Sequence, residues 1–142
     1  FPCVGQAGRA SAGLAGGAVV IEMPRRESSP SVYSVSRHLI FNEKIPGSRL
    51  SQLLADWLDG ISKWLRENGF IVGHLKVLAA AEDERDRLSI TKGPVNRNPS
   101  PGWPDMSIMA LDLYVTLIAF GPDDDAFQRE ASCRMHDLLK LG

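Results

Sequence analysis

The residues of this chain best suited to acid–base chemistry are His74, Lys76 and Asp112. His74 and Lys76 are two positions apart in an alternating apolar segment, and side chains two apart on a strand point to the same face. With Asp112 on a neighbouring strand, they would suit proton transfer to or from a small anionic substrate. The sequence favours a plainer interpretation, in which the three form a hydrogen-bonded group at a seam between two subunits.

Three further residues join these as candidate ligand or interface residues. His38 belongs to an earlier strand, Tyr114 lies two positions after Asp112, and Trp103 lies in a loop rich in Gly and Pro. Because no helix or strand accounts for Trp103, this side chain either anchors the loop to the domain or contacts a ligand.

No metal centre and no cofactor are predicted. A metal site needs three or four converging ligands, and His38, His74 and Asp112 would converge only on adjacent strands in register. The glycines within residues 8–17 match neither the Walker A spacing of phosphate-binding loops nor the spacing of dinucleotide-binding loops.

Composition limits the classes of partner. The chain has 142 residues and a net charge of -1, so it lacks the basic excess that dominates nucleic-acid binding. No apolar run approaches the about 18 residues of a transmembrane helix, so no membrane partner is predicted. Because the chain has only two cysteines, we expect a reducing compartment, the cytoplasm.

Apolar periodicity predicts a single α+β domain over residues 35–142. Residues 1–34 are predicted to be a flexible Gly/Ala-rich tail and linker, because they offer too little apolar surface to offset the entropy of ordering. Within this segment, residues 18–23 are apolar enough for a short edge strand. The predicted elements of the domain are a strand at 35–42, a helix at 49–68 capped by Ser48, strands at 70–80, 88–92 and 108–120, and a last helix after 125.

Two of these elements have the clearest periodicity. The first helix has an apolar stripe at spacings of three and four: Leu50, Leu53, Leu54, Trp57, Leu58, Ile61, Trp64 and Leu65. The long strand alternates, and one parity is predicted to meet the helices: Met109, Leu111, Leu113, Val115, Leu117 and Ala119. Ile71 is assigned to the same buried side of its strand. The mixed-charge run 82–87 is predicted to be a solvated turn.

The element order β-α-β-β-β-α predicts a two-layer α+β sandwich. Its sheet is expected to be four-stranded and mostly antiparallel, with both helices on one face. This arrangement is ferredoxin-like in general type, and that type hosts many unrelated functions. The sequence resembles no family specifically enough to name one.

The face opposite the helices is the surface that we expect the protein to use. Its predicted exposed apolar residues are Ile40, Val72, Leu78 and Tyr114, and such a face usually meets a partner, a second copy or a ligand. The first hypothesis is a small soluble subunit without catalytic activity, which forms a homo-oligomer or docks on a protein partner through this face. The alternative is a small-molecule-binding protein or enzyme with a site between this face and the 93–106 loop. Whether the protein is an enzyme is left open.

Overall fold

A computed structural model describes residues 29–141, with side chains through residue 138. The predicted tail up to residue 28, including the edge strand at 18–23, lies outside the described residues. The described elements are β1 (Ser31–Pro46), α1 (Gly47–Glu67), β2 (Ile71–Ala81), β3 (Glu84–Ile90), β4 (Asn96–Pro99), a 3₁₀ turn (Trp103–Asp105), β5 (Ser107–Phe120) and α2 (Asp124–Leu141).

The five strands form one antiparallel sheet in the order β1-β5-β2-β3-β4. The α+β class is confirmed, but the sheet has five strands where the sequence predicted a four-stranded, ferredoxin-like arrangement. The additional strand is β4, which lies within the predicted 93–106 loop and pairs only with β3. Its sequence ends in Pro99, a residue that strands tolerate at a sheet edge because no ladder hydrogen bond is needed there.

The long strand β5 lies at the centre of the fold, between β1 and β2. Its residues Leu111, Leu113, Val115 and Leu117 are buried, and they share one core with the apolar stripe of α1 and with Phe127 of α2. Both helices therefore cover the same face of the sheet, as predicted. The opposite face, called the open face below, is covered by no described helix or strand.

Two irregularities in strand pairing change which side chains are exposed. Residue 73 is an extra residue in β2, because Val72 pairs with Ala119 and His74 with the next β5 residue, Ile118. This bulge reverses the parity of the strand before it. The prediction is therefore wrong for both neighbours: Ile71 is 64% exposed, and Val72 packs against the core.

The second irregularity lies between β1 and β5. The register shifts between Ile40 and Ile45, where β1 carries extra residues. Opposite this shift the alternation of β5 is broken, because Ile108 and Leu111 are buried while Met109 and Ala110 between them are exposed. The prediction that Met109 lies on the helix-facing side is therefore wrong.

The boundaries of β1 and α1 also differ from the prediction. β1 begins at Ser31, and the buried Ser31 hydroxyl donates a hydrogen bond of 2.6 Å to the carbonyl of Pro122. The helix begins at Gly47 without a side-chain cap, so Ser48 does not cap it. Its end is as predicted, because Gly69 adopts a left-handed conformation with φ of 78°.

Candidate functional site

Cross-strand pairs arrange the open face into rows. Ser36, Tyr114, Leu78, Arg87 and Asn98 form one row from β1 to β4. The next row consists of Ser34, Thr116, Lys76, Ser89 and Asn96. These rows fix which of the predicted site residues are neighbours.

The structure does not bring His74, Lys76 and Asp112 together. Lys76 pairs with Thr116 and His74 with Ile118, which are four and six residues along β5 from Asp112. At about 3.4 Å per residue, these offsets correspond to roughly 14 and 20 Å along the strand. A proton-transfer group must lie within hydrogen-bond reach of the same substrate atom, and this arrangement does not provide one.

His38 is the partner of Asp112. The two residues are opposite each other on β1 and β5, and His38 Nδ1 lies 2.7 Å from Asp112 Oδ1. Both side chains are at least half exposed, so solvent screens the attraction between them and the pair adds little to stability.

Trp103 faces the helix side of the sheet, away from the open face. Its side chain is fully buried, and its indole N–H lies 3.0 Å both from the carbonyl oxygen of Gly47 and from the Ser51 hydroxyl. Only glycine fits at position 47, since a Cβ there would lie 1.9 Å from the Trp103 carbonyl oxygen. Of the two roles that the sequence left open, the structure supports the anchor: Trp103 holds the chain after β4 against α1.

Asp86 is a buried carboxylate that sequence reasoning missed. It belongs to the charged run 82–87 that was predicted to be a solvated turn, yet it is fully buried on the helix side of β3. The Ser51 hydroxyl donates a hydrogen bond to Asp86 Oδ2, and Oδ1 has no partner. Burial raises the pKa of Asp86, while the Ser51 hydrogen bond and the charge of Arg97 lower it. The available signal was parity, since Asp86 alternates with Leu88 and Ile90.

A cleft of about 410 Å³ lies on the open face where β5, β2, β3 and β4 run side by side. Its polar lining residues are Lys76, Arg87, Ser89, Asn96, Asn98 and Thr116. Leu78 and Tyr114 add apolar surface to its lining. Lys76 and Tyr114 were predicted site residues; Arg87, Asn96 and Asn98 were not, because their position depends on the pairing of β4 with β3.

Two further findings concern residues 29–141 alone. No three His, Cys, Asp or Glu side chains in this range lie close enough together to hold a metal ion. No helix in it is long and apolar enough to cross a bilayer. Cytoplasmic localisation and homo-oligomer formation stay predictions.

Comparison with known proteins gives no family. No family model matches the sequence, and no curated protein matches it. A Zn(II)-bound triple mutant of the YjiA GTPase is similar in structure with a TM-score of 0.37 and 11% sequence identity. The match covers 72% of this chain and 29% of that protein. So low a TM-score carries no argument about fold or function.

Proposed function

We propose that this protein is a non-catalytic association module that pairs with a second copy of itself through the open sheet face. The observation that carries the proposal is a group of apolar side chains at one end of this face. Val32, Ile71, Ile118 and Phe120 are neighbours by strand pairing, and we call them the apolar end. Val32 is 42% and Ile71 64% exposed, which is typical of a surface that a partner covers.

The size of the open face suits a stable dimer. Each strand residue covers about 4.8 by 3.4 Å, so the five strands together present roughly 850 Å², before side-chain relief is added. A standard interface takes about 800 Å² from each partner.

The chemistry of the apolar end also suits a second copy. A two-fold interface places the same patch of both subunits together, so a charged patch would oppose pairing. The four residues of the apolar end carry no charge, and they can pack on their own copies without that cost.

The separation of His74, Lys76 and Asp112 supports association over catalysis. Each of these residues lies in a different row of the open face, and Asp112 is already bonded to His38. This separation makes the face better suited to contact with a partner than to proton transfer.

Light scattering of the full chain over a concentration series tests the proposal. We expect the wild-type protein to reach twice the 15.5 kDa monomer mass. The variant Ile71→Glu should stay monomeric, because it places a carboxylate in the apolar end of each subunit. Ser132→Glu, at an exposed position of α2, is the matched control and should dimerise as the wild type does. A wild-type mass of 15.5 kDa at every concentration would contradict the proposal.

A further inference from the structure

The cleft on the open face holds two positive charges close together. Lys76 pairs with Ser89, and Arg87 pairs with Leu78, so the two cationic residues are diagonal neighbours on β2 and β3. Diagonal neighbours on paired strands are about 7–8 Å apart, within reach of one another's long side chains. Both residues are exposed and both line the cleft.

No carboxylate compensates these two charges. The residues that line the cleft include no Asp or Glu. Neither Lys76 nor Arg87 is in any ion pair formed within the described part of the chain, where the pairs are His38–Asp112, Lys63–Asp59 and Arg134–Glu130. The neighbouring acid on β3, Asp86, faces the opposite side of the sheet. Two like charges without a counter-charge repel each other, and a bound anion would relieve that repulsion.

The rest of the lining suits an organic anion. Ser89, Thr116, Asn96 and Asn98 offer neutral hydrogen-bond donors around the two cations. Leu78 and Tyr114 add an apolar surface, and Tyr114 presents an aromatic ring on which a flat group can stack. The volume of about 410 Å³ lies within the range of small-molecule sites, about 300–1,000 Å³.

We propose that this cleft binds a small organic anion. Its carboxylate or phosphate group lies between Lys76 and Arg87, and its flat apolar body lies against Tyr114 and Leu78. Arg87 supplies the forked donors that suit such a group, and Lys76 supplies a second point charge. The cleft lies towards the β4 edge of the open face and shares no residue with the apolar end. An interface that covered the whole open face would also cover the cleft. The proposal goes beyond the proposed function, and it is therefore tested on a variant that does not pair as well as on the wild type.

Titration of the full chain with phenyl phosphate and with benzoate, followed by amide NMR, tests the proposal. We expect saturable amide shifts at residues 76, 87, 96, 98 and 114 with at least one of the two anions. The anion with the higher affinity identifies the preferred head group, phosphate or carboxylate. Inorganic phosphate should bind at least about tenfold more weakly, because it lacks the apolar body, and neutral benzamide should not saturate. If neither phenyl phosphate nor benzoate saturates the shifts up to about 10 mM, the proposal is overturned.

A pair of variants on one strand separates the cleft from general electrostatic attraction. Arg87→Gln should weaken binding by at least about tenfold, equivalent to 1.4 kcal/mol. Arg85→Gln removes the same charge from an exposed position two residues earlier that does not line the cleft, and should change affinity by less than about threefold in 0.15 M salt. Equal losses in both variants would overturn the proposal. Repeating the titration on Ile71→Glu, the variant expected to stay monomeric, measures anion binding in the absence of pairing.

Discussion

The contact between Gly47 and Trp103 allows a sharp test of how the chain after β4 is held. A Cβ at position 47 would lie 1.9 Å from the carbonyl oxygen of Trp103 and 2.9 Å from its carbonyl carbon. Both atoms belong to the backbone, so no side-chain rotation relieves the overlap. Gly47→Ala must therefore displace the segment around Trp103 or the first turn of α1.

The displacement strains three hydrogen bonds. The Trp103 indole N–H donates to Gly47 and to Ser51, each at 3.0 Å, and the Gly47 N–H donates to the Met106 carbonyl at 2.9 Å. Overpacking costs about 1–3 kcal/mol, and each lost hydrogen bond costs about 1 kcal/mol. Alanine returns up to about 1 kcal/mol of helix propensity. Because the displacement weakens these three bonds without breaking all of them, we expect Gly47→Ala to lower the free energy of unfolding by about 3 kcal/mol.

Gly60→Ala is the matched control on the same helix. A Cβ at position 60 would meet only Arg134 Nη1, at 3.0 Å, and this atom is the end of a flexible side chain that can move. The gain in helix propensity should outweigh the cost of moving this side chain. We therefore expect the free energy of unfolding of Gly60→Ala to be unchanged or to rise by up to about 1 kcal/mol. Urea unfolding followed by circular dichroism should place the midpoint of Gly47→Ala about 1.5 M below that of the wild type. Equal stability of Gly47→Ala and Gly60→Ala would show that the overlap with the Trp103 backbone has no energetic cost.

Three further predictions concern the core and the buried polar group beside it. Leu113→Ala should lower the free energy of unfolding by about 2–5 kcal/mol in the same assay, and a loss below about 0.5 kcal/mol would mean that the side chain is not in the core. Trp103→Phe keeps one aromatic ring but removes the indole N–H and part of the buried volume. It should cost about 1–3 kcal/mol for the lost hydrogen bonds and more for the cavity; full wild-type stability would contradict the anchor role. Because burial raises the folded-state pKa of Asp86, the folded protein binds a proton more tightly than the unfolded chain does. Wild-type stability should therefore lose a contribution as the pH rises from about 3.9 through that raised pKa, and Asp86→Asn should not show this loss in unfolding curves across that range. Identical pH profiles of the two proteins would show that Asp86 is not the group responsible.

Local periodicity predicted much of the fold. The stripe on α1 and the alternation of β5 each repeat over three or more periods, so each fixes a buried side without knowledge of the rest of the chain. On β3, Leu88 and Ile90 are buried on one parity, and the same parity would have placed Asp86 with them if the charge run had not been interpreted as a turn.

Features that depend on distant pairing were not predictable in this way. β4 forms because β3 offers it an edge, and its own Asn and Pro residues do not favour a strand. The bulge at residue 73 follows from the fit of β2 to β5. Because of it, Ile71 lies on the open face and Val72 does not. For the same reason the sequence identified Lys76 and Tyr114 on this face but could not place Arg87, Asn96 and Asn98 beside them.

Amide NMR spectra of the full chain across a dilution series test whether the open face is the surface of self-association. Concentration-dependent shifts locate the residues whose surroundings change when two copies meet. We expect these shifts to cluster on the apolar end, at residues 32, 71, 118 and 120, and to leave the outer surfaces of α1 and α2 unchanged. Shifts confined to the two helices, or a spectrum that does not change with concentration, would contradict self-association through this face.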